Sequence, residues 1–68
     1  MRIALAGQRS FGAAALAAIL ADGHEVVQVF APIDDKLDWE ARRLDLPVTD
    51  RLVADTLAQG LDLIVCAH

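Results

Sequence analysis

Apolar residues along the chain fall into short continuous runs, and segments with helical spacing separate these runs. Four of the runs predict β-strands, at residues 2–6, 25–31, 46–49 and 61–67. The first two runs are apolar at nearly every position, which is typical of parallel strands that are buried on both faces. Pro47 lies near the start of the third run and predicts a strand at the edge of the sheet.

The segments between these runs predict three helices, at residues 11–22, at residues 37–44, and from a cap at Thr49 or Asp50 through Gln59. Ser10 supplies an N-cap hydroxyl for the first helix. The apolar stripe of that helix consists of Leu16, Ile19 and Leu20. Gly23 then follows as a natural C′ residue that ends the helix.

The order of these elements, βαβαβαβ, predicts an α/β fold. Strands that alternate with helices form a Rossmann-like open parallel sheet with right-handed crossovers, here incomplete and with helices on both faces. Ligands of such sheets bind beyond the carboxyl ends of the strands, where the first strand meets its outer neighbour. We therefore expect a ligand crevice between residues 7–10 and residues 66–68.

The length and the composition together predict that this chain does not bury all of its own apolar surface. A chain of 68 residues buries only about 60% of the surface that it exposes when unfolded. Yet 56% of the residues are hydrophobic, the mean hydropathy is +0.42, and a single cysteine rules out an internal disulfide. We interpret residues 1–68 as the amino-terminal portion of a single larger Rossmann domain. An obligate subunit that packs against a partner chain explains the composition equally well.

The charge pattern argues against a nucleic-acid partner, and the lengths of the apolar runs argue against a membrane span. Six Lys and Arg residues against ten Asp and Glu residues give a net charge of −4, without the basic stripe of a nucleic-acid interface. Arg42 and Arg43 have acidic neighbours and, with Trp39, predict a solvated amphipathic helix face. No apolar run reaches the ~18 residues that span a bilayer, and the chain starts without the apolar region of a signal peptide. We therefore expect a cytoplasmic protein.

A glycine-containing turn joins the first strand to the first helix. In dinucleotide sites, glycines at this position let the backbone approach a pyrophosphate at the helix N-terminus. Only Gly7 and Gly12 of that pattern are present, so the turn is either a ligand edge or a tight turn with close packing at Gly12. Asp34 and Asp35, after the second strand, are either ribose ligands or turn residues beside a proline.

The histidines and the cysteine occupy opposite edges of the predicted sheet. His24 precedes the second strand, at the amino edge, and predicts a structural or solvated side chain. His68 follows the fourth strand, on the side where ligands bind. Cys66 and His68 would supply two metal ligands, whereas a zinc site needs three or four from the protein, so no metal is predicted. Cys66 is predicted to be a small buried hydrophobic residue.

Two stretches resemble a known family. They are Met-Arg-Ile-Ala-Leu-Ala-Gly-Gln-Arg-Ser-Phe-Gly at residues 1–12 and Gly-His-Glu-Val-Val-Gln-Val-Phe at residues 23–30. Both are similar to the amino terminus of the formyltransferase superfamily, in particular to the hydrolase domains of 10-formyltetrahydrofolate dehydrogenases. Methionyl-tRNA formyltransferases and sugar-nucleotide N-formyltransferases share a second strand of the Gly-His-Glu-Val type, which resembles residues 23–26 here. Residues 61–65 correspond to the strand that leads into the folate-binding segment of this family.

The resemblance implies transfer of a formyl group from 10-formyltetrahydrofolate to an amine or to water. The catalytic asparagine, histidine and aspartate of the family correspond to positions after residue 68, so no catalytic residue is assigned here and we expect no activity from this chain alone. The residues that carry over as substrate-binding, beside the acceptor, are Gly7, Gln8, Arg9 and Ser10. Those that carry over as cofactor-binding, at the start of the pterin-binding stretch, are Cys66, Ala67 and His68.

The resemblance also narrows the acceptor. The transfer-RNA enzymes of the family have an extended basic loop after the second strand, whereas residues 31–36 are short and acidic here. A small-molecule amine, a sugar nucleotide or water remains open as the acceptor. Two other functions stay open from the residues themselves: the NAD(P)-binding half of an oxidoreductase, and a small non-enzymatic subunit.

Overall fold

The computed structural model describes residues 1–51 and 60–67. Within this part of the chain the elements are β1 (Arg2–Gly7), α1 (Arg9–Ala21), β2 (Glu25–Phe30), α2 (Lys36–Arg43), β3 (Val48–Thr49) and β4 (Leu63–Ala67). Residues 52–59 of the predicted third helix lie outside the described residues, and so does His68. Neither α1 nor any other helix of the described part is long and apolar enough to cross a membrane.

The strands form one parallel four-stranded sheet in the order β3-β2-β1-β4. Leu5 of β1 lies between Val29 of β2 and Val65 of β4. The chain moves from β1 through β2 to β3 in one direction, and β4 then pairs with the other side of β1. This topology confirms the predicted Rossmann-like α/β sheet, and it places the switch in strand order between β1 and β4.

The main hydrophobic core lies between the sheet and the two described helices. Its four largest fully buried side chains come from four different elements: Leu5, Leu16, Val29 and Leu37. Because side chains alternate along a strand, the opposite face presents Ala4, Ala6 and Phe30, which form a second, smaller cluster with Leu61. Both α1 and α2 therefore cover the same face. The third predicted helix falls largely on residues outside the described part, so the expectation of helices on both faces stays a prediction.

The amino end of α1 differs from the prediction. Ser10 is not the N-cap, since the helix begins at Arg9 and the N-cap is Gln8, whose side chain makes no capping hydrogen bond. Instead, the backbone N–H of Arg9 donates to the Asp35 carboxylate over 2.6 Å. A carboxylate that is distant in sequence but close in the fold thus replaces the expected local cap.

Both described helices end in the same way. The N–H of His24 donates to the carbonyl of Ile19, and the N–H of Leu46 donates to the carbonyl of Ala41. These are the long-range bonds of Schellman motifs, with Gly23 (φ 85°) and Asp45 (φ 62°) in the left-handed region at C′. Gly23 ends α1 as predicted.

The third strand is shorter than predicted. It was expected over residues 46–49 and comprises only Val48–Thr49. Leu46 is already engaged in the C-terminal motif of α2 and is therefore unable to start the strand. The carbonyl of Pro47 still accepts a hydrogen bond from the N–H of Val29, and β3 lies at the edge of the sheet as Pro47 predicted.

The outer surface of α2 confirms the predicted solvated face. Arg43 is exposed and pairs with Glu40 over 2.7 Å. Arg42 is exposed too, but its partner Asp38 is buried and accepts from the Arg42 Nε over 2.8 Å and from the backbone N–H of Asp34 over 3.1 Å. The two neighbouring ion pairs therefore differ mainly in the burial of the carboxylate.

We expect Arg42→Ala to lower the free energy of unfolding by about 1 to 2 kcal/mol, because it leaves the buried Asp38 carboxylate without its cation. The matched change Arg43→Ala breaks an exposed pair and is expected to lower it by less than about 0.5 kcal/mol. Urea unfolding of both variants measures the difference. Equal losses would show that burial of Asp38 does not decide the strength of these pairs.

Candidate functional site

A cavity of about 240 Å³ lies at the carboxyl ends of the strands, where the sheet topology predicts a ligand site. We call it the crevice. Its lining comes from the ends of β1, β2 and β4 and from the segments that follow β1, β2 and β3. The lining residues are Ala6, Gly7, Gln8, Phe30, Ala31, Pro32, Asp50 and Cys66.

The crevice lies toward the sheet face that α1 and α2 leave free. Ala6 pairs with Phe30 on one side and with Cys66 on the other, so these three side chains lie in one row across the sheet. Ala6 and Phe30 belong to the smaller hydrophobic cluster of that face. The row forms the apolar floor of the crevice.

The structure brings together part of the predicted site. Gly7 and Gln8 line the crevice from β1, and Cys66 lines it from β4, so the two segments do meet as expected. Arg9 and Ser10 are exposed in the first turn of α1 and are not among the lining residues. Ala67, the second predicted cofactor contact, pairs with Gly7 and is not among the lining residues. The third, His68, lies outside the described residues.

Cys66 is exposed, and its predicted burial is therefore wrong. Val65 and Ala67 point toward the helices and pack against the main core. Cys66 alternates with them onto the opposite face, on a strand that ends the described sheet. Burial of a cysteine in such a strand depends on what covers that face, which residue type alone does not determine.

The two glycines of the turn after β1 are closely packed against other parts of the protein. A Cβ at Gly7 would lie 2.5 Å from the carbonyl oxygen of Ala67, and a Cβ at Gly12 would lie 2.7 Å from the Cδ2 atom of Leu37. Gly7 thus allows β1 and β4 to pair at their ends, and Gly12 allows α1 to approach α2. These distances favour the interpretation of the motif as a tight turn with close packing at Gly12, and Gly7 lines the crevice as well.

The acidic residues after β2 also have structural partners. One carboxylate oxygen of Asp35 accepts from the N–H of Arg9 over 2.6 Å and from the N–H of Leu37 over 3.0 Å. Asp35 is the N-cap residue of α2, and its carboxylate also lies at the amino end of α1. Asp34 precedes it in a turn with φ of 60°. Of the two interpretations of this pair, the structure favours turn and capping residues.

Sequence reasoning missed Phe30, Pro32 and Asp50 as parts of the crevice. Phe30 is the last residue of β2, Pro32 lies in the segment after it, and Asp50 follows β3. Their positions at the ends of predicted strands were the signal that could have identified them, because the carboxyl ends of all parallel strands meet at one edge of the sheet. Among the described lining residues, Asp50 is the one with a charged side chain.

His24 lies at the other end of the molecule, as predicted. Its Nε2 is 3.0 Å from Oδ2 of Asp22. Both residues border an open groove of about 560 Å³ under α1, on the side of β4. In the part of the chain that the structure describes, no three His, Cys, Asp or Glu side chains are grouped to hold a metal ion.

The parallel sheet and its crevice place this protein in the Rossmann-like class of α/β proteins. Comparison of the chain with models of known protein families and with curated proteins gave no match. The assignment of the fold class therefore rests on the structure alone.

Proposed function

We propose that this chain is the amino-terminal portion of a 10-formyltetrahydrofolate-dependent formyltransferase domain. The complete protein would transfer the formyl group to the amine of a small molecule, or to water. The observation that carries the proposal is the meeting of Gly7 and Gln8 with Cys66 at one crevice. In the resembled family these two segments border the acceptor and the pterin of the cofactor, respectively.

The size and lining of the crevice support a site that further residues complete. Its volume of about 240 Å³ is below the roughly 300 to 1,000 Å³ of typical small-molecule pockets. The apolar floor, together with Pro32, makes one wall of the crevice apolar, while Gln8 and Asp50 contribute polar groups. An apolar wall limits access of water, which competes with an amine for the formyl group. The tetrahedral intermediate of formyl transfer also needs hydrogen-bond donors, and this wall does not supply them.

The exposed side chains of β4 support the same proposal. Leu63 is 45% exposed and Ile64 is 41% exposed, although the two point to opposite faces of the sheet. Parallel sheets are normally covered on both faces. We infer that these faces contact the rest of the same domain or a partner chain, and a non-enzymatic subunit would share this requirement.

The alternative of a nicotinamide cofactor is less well supported. A dinucleotide pyrophosphate binds at the N-terminus of the first helix. Here the Arg9 N–H at that end already donates to Asp35, and the glycines of the turn already contact Ala67 and Leu37.

The first test is a titration of the full-length protein with tetrahydrofolate, followed by an assay of formyl release from 10-formyltetrahydrofolate with and without small amines. We expect tetrahydrofolate to bind, and NAD and NADP titrated in parallel to give no response. Binding of a nicotinamide cofactor without binding of the folate would replace this proposal by the dehydrogenase alternative.

A pair of variants then locates the binding site. Cys66→Trp fills the crevice with a large side chain, whereas Ala14→Trp places the same side chain on the exposed surface of α1, outside the lining residues. Both wild-type side chains are exposed, so neither change overpacks a core. We expect Cys66→Trp to weaken tetrahydrofolate binding by about tenfold or more, that is by about 1.4 kcal/mol, and Ala14→Trp to have little effect. Equal affinities would place the folate elsewhere.

A further inference from the structure

The crevice combines a carboxylate with an apolar floor. Asp50 lies in the segment after β3, and among the described lining residues it is the one with a charged side chain. Ala6, Phe30 and Cys66 form the floor, as one row across three strands of the sheet. A ligand that matches both features carries a positive charge beside a short apolar group.

The carboxylate of Asp50 is not neutralised by any residue that the structure describes. Within residues 1–51 and 60–67, the ion pairs involve other carboxylates, and no side-chain hydrogen bond reaches Asp50. The neighbouring base, Arg51, is exposed and does not line the crevice. The negative charge of Asp50 therefore acts on a ligand in the crevice without a cation of the described part to cancel it.

Gln8 adds a neutral polar group to the same cavity. Its side chain is half-buried, lines the crevice at the end of β1, and makes no capping hydrogen bond to α1. An ammonium group has three N–H donors and no acceptor, so it matches the carboxylate oxygens of Asp50 and the amide oxygen of Gln8. A carboxylate or phosphate ligand would instead meet the charge of Asp50 with a charge of the same sign.

We propose that the crevice is a cation-selective binding site for a primary alkylamine, and that Asp50 is the specificity residue that binds its ammonium group. The apolar floor contacts the carbon atoms next to that group. The volume of about 240 Å³ is below the roughly 300 Å³ at which pockets for whole drug-sized ligands begin. The site therefore suits a short alkylamine, or the amino end of a larger molecule.

This site has a consequence for the formyl acceptor. Binding of an alkylamine is independent of formyl transfer, whereas the identity of that amine as the acceptor rests on the proposed function. On that function, the acceptor is a small molecule whose amino group has an apolar neighbour, and the reaction is transfer to an amine rather than hydrolysis. An acceptor that brings a carboxylate or a phosphate into the crevice is disfavoured by Asp50.

The test is an NMR titration of the full-length protein at pH 7 with n-butylamine and, separately, with butyrate, followed at the backbone amides of Gln8, Ala31 and Cys66. At this pH an alkylamine is protonated, as a lysine side chain is. We expect butylamine to shift these amides with a dissociation constant no weaker than about 10 mM, and butyrate to bind at least about fivefold more weakly.

Two aspartate variants separate the charge of the crevice from the charge of the whole protein. Asp50→Asn keeps the shape of the side chain and removes its charge, and we expect it to weaken butylamine binding about fivefold. Asp45→Asn makes the same change in net charge at an exposed position outside the lining residues, where the φ of 62° is one that asparagine tolerates. We expect this control to bind butylamine as the wild type does.

The proposal is overturned if butylamine does not shift the crevice amides, if butyrate binds as well as butylamine, or if the two aspartate variants lose equal affinity. The wild-type comparison of the two ligands decides on its own if a variant fails to fold. Tetrahydrofolate is titrated separately, so the two proposals fail in different ways. Folate binding without amine binding would leave formyl transfer with water as the acceptor, and amine binding without folate binding would leave the cation site and remove the formyltransferase.

Discussion

Replacement of Gly7 by alanine is expected to lower the free energy of unfolding by about 3 kcal/mol. The new Cβ would lie 2.5 Å from the carbonyl oxygen of Ala67 and 3.3 Å from the Cα of Gly12. Both of these atoms belong to backbone that is held in a strand or a helix, so neither moves aside as a flexible side chain would. The strain is relieved only when β4 moves away from β1, which also opens the crevice.

Gly23→Ala is the matched control for this prediction. Nothing lies within 4 Å of a Cβ at Gly23, but its φ of 85° is in the left-handed region. The change therefore tests backbone conformation without a steric clash, and we expect a loss of about 1 kcal/mol. Urea unfolding of the two variants measures both losses. If Gly7→Ala costs no more than Gly23→Ala, the close approach of Ala67 does not restrict residue 7.

Leu37→Ala is expected to lower the free energy of unfolding by about 3 kcal/mol, within the usual range for a buried leucine. Leu37 is fully buried, packs in the main core, and is the side chain against which Gly12 allows α1 to approach. Its removal leaves a cavity between the two helices and the sheet, next to the Asp35 carboxylate that joins the helix ends.

The control for this prediction is Leu44→Ala, the same chemical change at the end of the same helix. Leu44 is 39% exposed, and its truncation removes much less buried surface. We expect a loss below about 1 kcal/mol, in proportion to the apolar area that the side chain buries. Similar losses in the two variants would mean that Leu37 does not hold α2 against the core. Thermal or urea unfolding measures the difference.

Both large effects arise at the close contacts around the two glycines that follow β1. Gly7 allows β1 and β4 to meet at their carboxyl ends, and Leu37 holds α2 so that Asp35 reaches the amino end of α1.

Much of the crevice was predictable from strand order. Gly7, Gln8 and Cys66 were placed together because parallel strands end at one edge, and this reasoning needs only the boundaries of the strands. The same reasoning did not reach Phe30 or Asp50, because it considered only the first strand and its outer neighbour. The lining extends across β2 to the segment after β3, since the cavity lies on the face of the sheet that α1 and α2 leave free.

The α/β class, the alternation of strands and helices, and the C-terminal glycine of α1 were all predictable, because local periodicity and backbone preference set these features. The three-dimensional structure was needed to establish which group caps α1, how long β3 is, and whether Cys66 is buried. Each of these depends on a partner distant along the chain or on the packing around it. Asp35 reaches Arg9 across 26 residues of sequence separation, and no local pattern around Arg9 indicates that contact.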